Sequence, residues 1–128
     1  MTVQKSYIIW GTIFLLLAVV LGAFGAHGLQ SIVDASHIAT FKTGVQYQFY
    51  HGFAILLLAI LAKQYKIDTL KYCFYFFVIG IFLFSGSLYL LTFSDVINIP
   101  KIVGPLTPIG GFCFIVGWGV MLVSFVRK

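Results

Sequence analysis

The residues that could do chemistry in this sequence are polar side chains inside apolar segments. The segment GVQYQFYHG, from Gly44 to Gly52, carries Tyr47, Gln48 and His51. At 100° per residue these three side chains fall within an arc of about 100° on a helix. Polar groups on such an arc must face other parts of the protein, because lipid would leave them unpaired. The pattern predicts either a polar binding pocket or a buried hydrogen-bond network.

Three other apolar segments carry polar residues at a similar predicted depth. Ser85 and Tyr89 lie in FSGSLY, His27 lies in GAFGAHGL and Thr107 lies in GPLTPIGG. We expect a pocket that opens to the outer side and binds or transports a small molecule, an ion or a lipid. The candidate ligand-binding residues are His27, Tyr47, Gln48, His51, Ser85, Tyr89 and Thr107. A network that locks the helices in register remains the alternative.

Catalytic and metal chemistry find little support in the sequence. No nucleophile, base and orienting acid form an obvious unit, so no catalytic residue is predicted. The three histidines match no zinc spacing, and no second axial haem ligand can be assigned, so we predict no metal and no cofactor. Asp34, His37 and Asp95 fall in predicted loops, where we expect solvated side chains.

The composition is that of a membrane protein. Of 128 residues, 61% are hydrophobic and 9% are charged, against about 25% charged in soluble domains. A chain so poor in charge needs the bilayer as the solvent for its exterior. The net charge of +5 does not indicate nucleic acid, because the basic residues lie in the gaps between apolar runs.

Four apolar runs are long enough, at roughly 20 residues, to cross a bilayer as helices. We place the spans at 7–26, 44–62, 70–92 and 107–126 in one integral membrane domain, 1–128. Strands would alternate polar and apolar residues, which these runs do not. The first run is too long for the core of a signal peptide, so we expect it to remain as a span. The predicted fold is an all-α membrane protein, a bundle of four transmembrane helices.

The distribution of Lys and Arg predicts the orientation. Basic residues mark the cytoplasmic side of short loops. With the N-terminus inside, the inner segments hold Lys5, Lys63, Lys66, Lys71, Arg127 and Lys128. The outer connections then hold only Lys42 and Lys101. We therefore expect both termini in the cytoplasm.

The two outer connections differ in character. In residues 27–43, the apolar side chains of Leu29, Ile32, Val33, Ile38 and Phe41 predict an interfacial helix. Residues 94–108 hold all three prolines and predict a constrained loop.

Helix packing should depend on small residues, because lipid tails do not drive helices together. Ala18, Gly22 and Ala26 recur at every fourth position of the first span. We expect Trp118 to pack against protein, and the Phe residues of the third span to face lipid.

Four blocks of sequence resemble a known bacterial family, called domain of unknown function 423. The blocks are GAFGAHGLQ, YQFYHGFAIL, FSGSLYLL and GPLTPIGG, in this order along nearly the whole chain. The similarity is greatest to forms from Gram-positive bacteria, and animal relatives resemble the transmembrane protein 256 group. The resemblance implies a small multi-pass protein of the bacterial plasma (inner) membrane. It carries over no catalytic residues, because no function is settled for the family.

Two functional hypotheses therefore stand at a similar level. The first is a binding or transport module that uses the outer pocket. The second is a structural or accessory subunit of a larger membrane complex, in which the polar residues form a packing network. An enzyme acting on lipid is a weaker third. We expect partners inside the membrane, either lipid, a second copy of the chain or another membrane protein.

Overall fold

A computed structural model describes residues 2–128 of the chain. It is all-helical, and four helices are long and apolar enough to span a membrane. They are α1, Val3–His27; α2, Ala35–Gln64; α3, Leu70–Thr92; and α4, Val103–Val126. We call the end of the bundle with connections 28–34 and 93–102 the His37 end. The opposite end, with connection 65–69, the start of α1 and the end of α4, is the Lys66 end.

Short polar side chains cap the N-termini of the first two helices. The Thr2 hydroxyl accepts a hydrogen bond of 3.1 Å from the Lys5 backbone N–H. The Asp34 carboxylate accepts one of 3.0 Å from the His37 N–H. Such caps satisfy donors that the first turn of a helix leaves free. Helix α2 ends where Tyr65 becomes extended.

The first connection is much shorter than the sequence suggested. Only a 3₁₀ turn, Leu29–Ser31, separates α1 from the Asp34 cap. The prediction of a separate interfacial helix is wrong, because Ile38 and Phe41 already belong to α2. The Asp34 cap lets the helix start nine residues before the predicted span. Leu29 and Phe41 are both buried in one small apolar cluster.

The second connection also ends earlier than expected. Helix α4 starts at Val103, so Pro105 and Pro108 lie in its first two turns and not in a loop. A proline in the first turn removes no helical hydrogen bond, because that N–H would have no partner in any case. Pro108 has no backbone N–H, so the helical hydrogen bond from residue 108 to the Gly104 carbonyl oxygen is missing. The prediction of a loop to residue 108 is therefore wrong.

Helix α2 is the centre of the bundle. It packs against α1 on one side and α3 on the other, while α4 packs mainly against α3. The main apolar core is built around fully buried side chains of Ile55, Leu58, Cys73 and Phe77. The Phe residues of α3 are divided between core and surface, because Phe77 is fully buried whereas Phe82 is exposed. The expectation that they face lipid is only partly correct.

Glycines allow two close helix contacts. Gly11 and Gly52 face each other where α1 crosses α2, and a Cβ on Gly11 would lie 3.1 Å from the Gly52 carbonyl oxygen. Gly110 of α4 lies directly against the backbone of α3 at Leu83 and Phe84. In the predicted stripe, Ala18 is fully buried and Gly22 faces Val45, but Ala26 is exposed.

Helix α3 contains a π-helical turn at Ile81–Ser85. Gly110 packs against this turn. Ser85, the last residue of this turn, bonds to α2, while Ser87, two residues later, bonds to α4. Such turns occur often at functional sites, and this one lies beside two hydroxyls that bond to two different helices.

Candidate functional site

Gln48 joins three helices through one buried side chain. Its amide nitrogen donates to the Phe14 carbonyl oxygen of α1 at 2.7 Å. Its amide oxygen accepts a hydrogen bond of 2.6 Å from the Tyr89 hydroxyl of α3. The residue is 3% exposed. Both ends of the amide are therefore occupied by protein groups.

His51 is occupied in the same way. Its Nδ1 lies 2.8 Å from the Tyr47 carbonyl oxygen, one turn earlier on α2. Its Nε2 lies 3.0 Å from the indole Nε1 of Trp118 on α4. Since the indole can only donate, Nε2 is the acceptor and Nδ1 carries the proton. The ring also stacks on Phe114, with centroids 3.5 Å apart.

The serine and threonine hydroxyls complete the links between helices. Ser85 donates to the Gly44 carbonyl oxygen of α2 at 2.7 Å. The Ser87 hydroxyl is hydrogen-bonded to the Thr107 hydroxyl, which joins α3 to α4. Within residues 2–128, every fully buried side-chain nitrogen and oxygen has a hydrogen-bond partner. A polar network of this kind fixes the register of all four helices.

The seven predicted residues separate into three groups. Five of them belong to the hydrogen-bond network, namely Gln48, His51, Ser85, Tyr89 and Thr107. Tyr47 contributes its carbonyl oxygen, and the residue is 36% exposed. His27 is exposed at the end of α1, away from the network.

A groove of about 740 Å³ runs along the bundle surface between α2 and α4. It is mostly aromatic, and its polar edges come from residues already bonded, such as His51 and Tyr50. Its lining residues are Tyr47, Tyr50, His51, Phe84, Pro108, Gly111, Phe112, Phe114, Ile115 and Trp118. The Tyr47 hydroxyl has no hydrogen-bond partner among the described residues. Sequence reasoning found only Tyr47 and His51 of this set, because apolar residues give no chemical signal in a membrane span.

Trp118 forms the floor of the groove beside His51. Its ring packs on Phe77 with centroids 4.9 Å apart. The residue is nevertheless 41% exposed. The expectation that it packs against protein is correct for one face of the indole, and the other face lines the groove.

A second polar cluster lies at the His37 end. His37 Nδ1 lies 2.6 Å from the Asp34 carboxylate, and its Nε2 lies 3.2 Å from the Ser94 hydroxyl and 3.5 Å from Asp95. Hydrogen bonds from the His37 ring, the His37 backbone and Ser36 lower the pKa of Asp34 to about 2. The expectation of solvated side chains is confirmed for Asp34 and Asp95, whose side chains are 62% and 74% exposed. It is wrong for His37, which is partly buried and ties the two connections together.

Three possible metal ligands meet in this cluster, from Asp34, His37 and Asp95, within 4.8 Å of one another. The same Asp34 oxygen already accepts bonds from Ser36, the His37 ring and the His37 backbone. Hydrogen bonding therefore accounts for the geometry.

These features define a class of protein, a multi-pass membrane bundle with a bonded polar interior. A family model described as "Protein of unknown function (DUF423)" matches residues 21–111. The chain belongs to this family, as the sequence resemblance predicted.

Full-length relatives agree with this assignment. The UPF0382 membrane protein YwdK of Bacillus subtilis is 40% identical, over 97% of this chain and 98% of its own. The UPF0382 inner membrane protein YgdD of Escherichia coli is also 40% identical, over 97% of this chain and 92% of its own. The UPF0382 membrane protein SAB0533 of Staphylococcus aureus is 36% identical, over 94% of this chain and 95% of its own. No solved structure matches the chain. The protein is a multi-pass protein of the bacterial inner membrane.

Proposed function

We propose that this protein binds a lipophilic molecule within the membrane, in the groove between α2 and α4. The observation that carries the proposal is Tyr47, which lines an aromatic groove of about 740 Å³ and whose hydroxyl has no hydrogen-bond partner within residues 2–128. A hydroxyl in a membrane is stabilised by a hydrogen bond. The ligand class is an elongated apolar molecule with one hydrogen-bond acceptor.

The bonded interior argues against a polar solute. Gln48, His51 and Ser85 would each have to break a hydrogen bond between helices to bind one. An unmade bond of this kind costs about 1 to 3 kcal/mol for each group. The groove needs no such rearrangement, because it is already open on the surface of the bundle.

We also propose the N-in, C-in orientation for the bundle. Six of the eight Lys and Arg residues lie at the Lys66 end, and the His37 end has two, Lys42 and Lys101. By the positive-inside rule, the Lys66 end then faces the cytoplasm. In this orientation the groove runs from Trp118, near the bilayer midplane, to Pro108 in the outer leaflet.

Fluorescence quenching tests the proposal directly. The chain has two tryptophans, so Trp10→Phe leaves Trp118 as the only indole. The probe is 9,10-dibromostearic acid, whose carboxylate offers the acceptor and whose bromines quench a nearby indole. In lipid nanodiscs, we expect quenching that saturates at a low mole fraction of probe. Stearic acid should reverse it by competition.

Two further variants locate the binding. Tyr47→Phe should weaken binding about 3- to 10-fold, the effect of one lost neutral hydrogen bond. Gly111→Leu should fill the groove, and its Cβ has room because the nearest atom, on Phe84, is 3.6 Å away. Gly104→Leu is the control, since nothing lies within 4 Å of its Cβ. Quenching that rises linearly with probe in every variant would show random contact with lipid and reject the proposal.

An accessory subunit is the second candidate function. It is supported by the hydrogen-bond network itself, which joins the four helices and leaves no fully buried side-chain nitrogen or oxygen unpaired within residues 2–128. Rigid elements suit docking inside the membrane, where close packing drives association. Linear quenching together with a discrete complex of fixed composition, isolated from the native membrane, would favour this function over binding.

A further inference from the structure

A second groove lies at the Lys66 end, between the connection 65–69 and the end of α4. Its volume is about 680 Å³. The walls along α4 are apolar, and Gly119 forms an open floor with nothing within 4 Å of its Cβ position. The mouth is lined by Lys66, Arg127 and Lys128. An apolar trough therefore ends in three cations.

The cations at this mouth have no anionic partner in the described part of the chain. The ion pairs among residues 2–128 involve only His37, with Asp34 and Asp95, at the other end. Asp68 is the one acidic residue at the Lys66 end, where six basic residues lie. It does not line this groove. Lys128 is held in place by the Tyr65 ring, with 4.3 Å from Nζ to the ring centroid.

We propose that this groove binds one anionic phospholipid. The acyl chain would lie along Val116, Gly119 and Val123, and the phosphate would face Lys66 and Arg127. Charge complementarity selects this occupant, because a zwitterionic lipid brings its own cation to the same mouth. Basic pockets between helices at the cytoplasmic side are suited to anionic head groups. The site is separate from the α2–α4 groove and does not depend on a ligand there, while its place at the cytoplasmic side rests on the proposed orientation.

Lipid titration followed by native mass spectrometry tests this site. The probes are phosphatidylglycerol and phosphatidylcholine with the same acyl chains, added to the intact protein in a mild detergent. We expect the first phosphatidylglycerol to bind at least about 10-fold more tightly than phosphatidylcholine. The double variant Lys66→Gln/Arg127→Gln should lose about 25-fold in phosphatidylglycerol affinity, since each basic residue near the surface contributes about fivefold.

The matched control is Lys42→Gln/Lys101→Gln, which removes the same charge at the His37 end and should keep the parent affinity. Gly119→Leu should also weaken binding by filling the trough, whereas Gly104→Leu should not. Equal losses in the two double variants would indicate a general effect of net charge and overturn the site. The site would also be overturned by equal binding of the two lipids, or by full binding to Gly119→Leu. Gly111→Leu, which tests the other groove, should leave this binding unchanged.

Discussion

The indole nitrogen of Trp118 donates to Nε2 of His51 across 3.0 Å, and this bond joins α4 to α2. It sets the tautomer of the imidazole, because the other ring nitrogen must then donate to the Tyr47 carbonyl oxygen. The imidazole that seemed from sequence to be a candidate ligand-binding group therefore has both nitrogens bonded. It forms one wall of the groove while its polar atoms hold two helices together.

Replacing Trp118 with Phe should destabilise the bundle. The variant leaves the buried His51 Nε2 without a donor, so we expect the free energy of unfolding to fall by about 1 to 3 kcal/mol. Far-ultraviolet circular dichroism during unfolding by sodium dodecyl sulfate would measure the change. Trp10→Phe is the control, because Trp10 is 38% exposed and its indole donates to no described residue. Equal stability of the two variants would show that the bond contributes nothing.

Gln48 and Tyr89 should be energetically coupled. Gln48→Leu removes the acceptor of the Tyr89 hydroxyl and the donor to Phe14, and Tyr89→Phe removes only the hydroxyl. A double-mutant cycle should give a coupling energy of about 0.6 to 1.7 kcal/mol, the range of interhelical hydrogen bonds in membranes. Gln46→Leu, on the exposed face of the same helix, should change the stability by less than about 0.5 kcal/mol. Additive effects of Gln48→Leu and Tyr89→Phe would contradict the network.

The membrane spans were predictable from the sequence because a helix that crosses the bilayer needs about 20 consecutive residues with almost no charge. The residues of the hydrogen-bond network were also found, since a polar side chain in such a span must face protein. Their partners were not predictable. Gln48 bonds to a backbone carbonyl, which every residue has, and Ser85 bonds to the Gly44 carbonyl from the end of a π-helical turn. No residue pattern marks that turn.

The early start of α2 was missed for a related reason. A cap such as Asp34 adds two helical turns beyond the apolar run, and hydropathy does not record them. His37 was assigned to a solvated loop, yet it bonds to Ser94, 57 positions later. Contacts of that range depend on how the connections fold over the end of the bundle.

Gly110→Ala should be destabilising by about 1 to 3 kcal/mol. The added methyl would meet the backbone of α3 at Leu83 and Phe84, which cannot move aside as a side chain can. Gly119→Ala is the matched control on the same helix, with open space around its Cβ. It should be neutral, or more stable by up to about 1 kcal/mol through higher helix propensity. Similar stabilities for the two variants would contradict the close contact of α3 and α4.

The Asp34 cap predicts a loss of stability in acid. Hydrogen bonds from His37 and Ser36 lower the pKa of Asp34 from 3.8 to about 2 in the folded protein. A lowered pKa stabilises the fold above pH 4, and that contribution disappears as the pH falls from about 4 to about 2. Unfolding experiments in detergent across this range should show a smaller pH effect for Asp34→Asn than for the parent. Asp68→Asn, which removes an acid without an ion pair, should follow the parent curve.

Native mass spectrometry of the protein extracted in a mild detergent is the most direct test of the α2–α4 groove as a binding site. The measurement uses the Lys66→Gln/Arg127→Gln background, which weakens the phospholipid site at the Lys66 end. We predict a reproducible non-protein mass that Gly104→Leu leaves unchanged, that Tyr47→Phe reduces and that Gly111→Leu abolishes. Tandem fragmentation would then identify the ligand. The same bound mass on Gly111→Leu, or a parent protein that carries no ligand under any mild condition, would contradict the account.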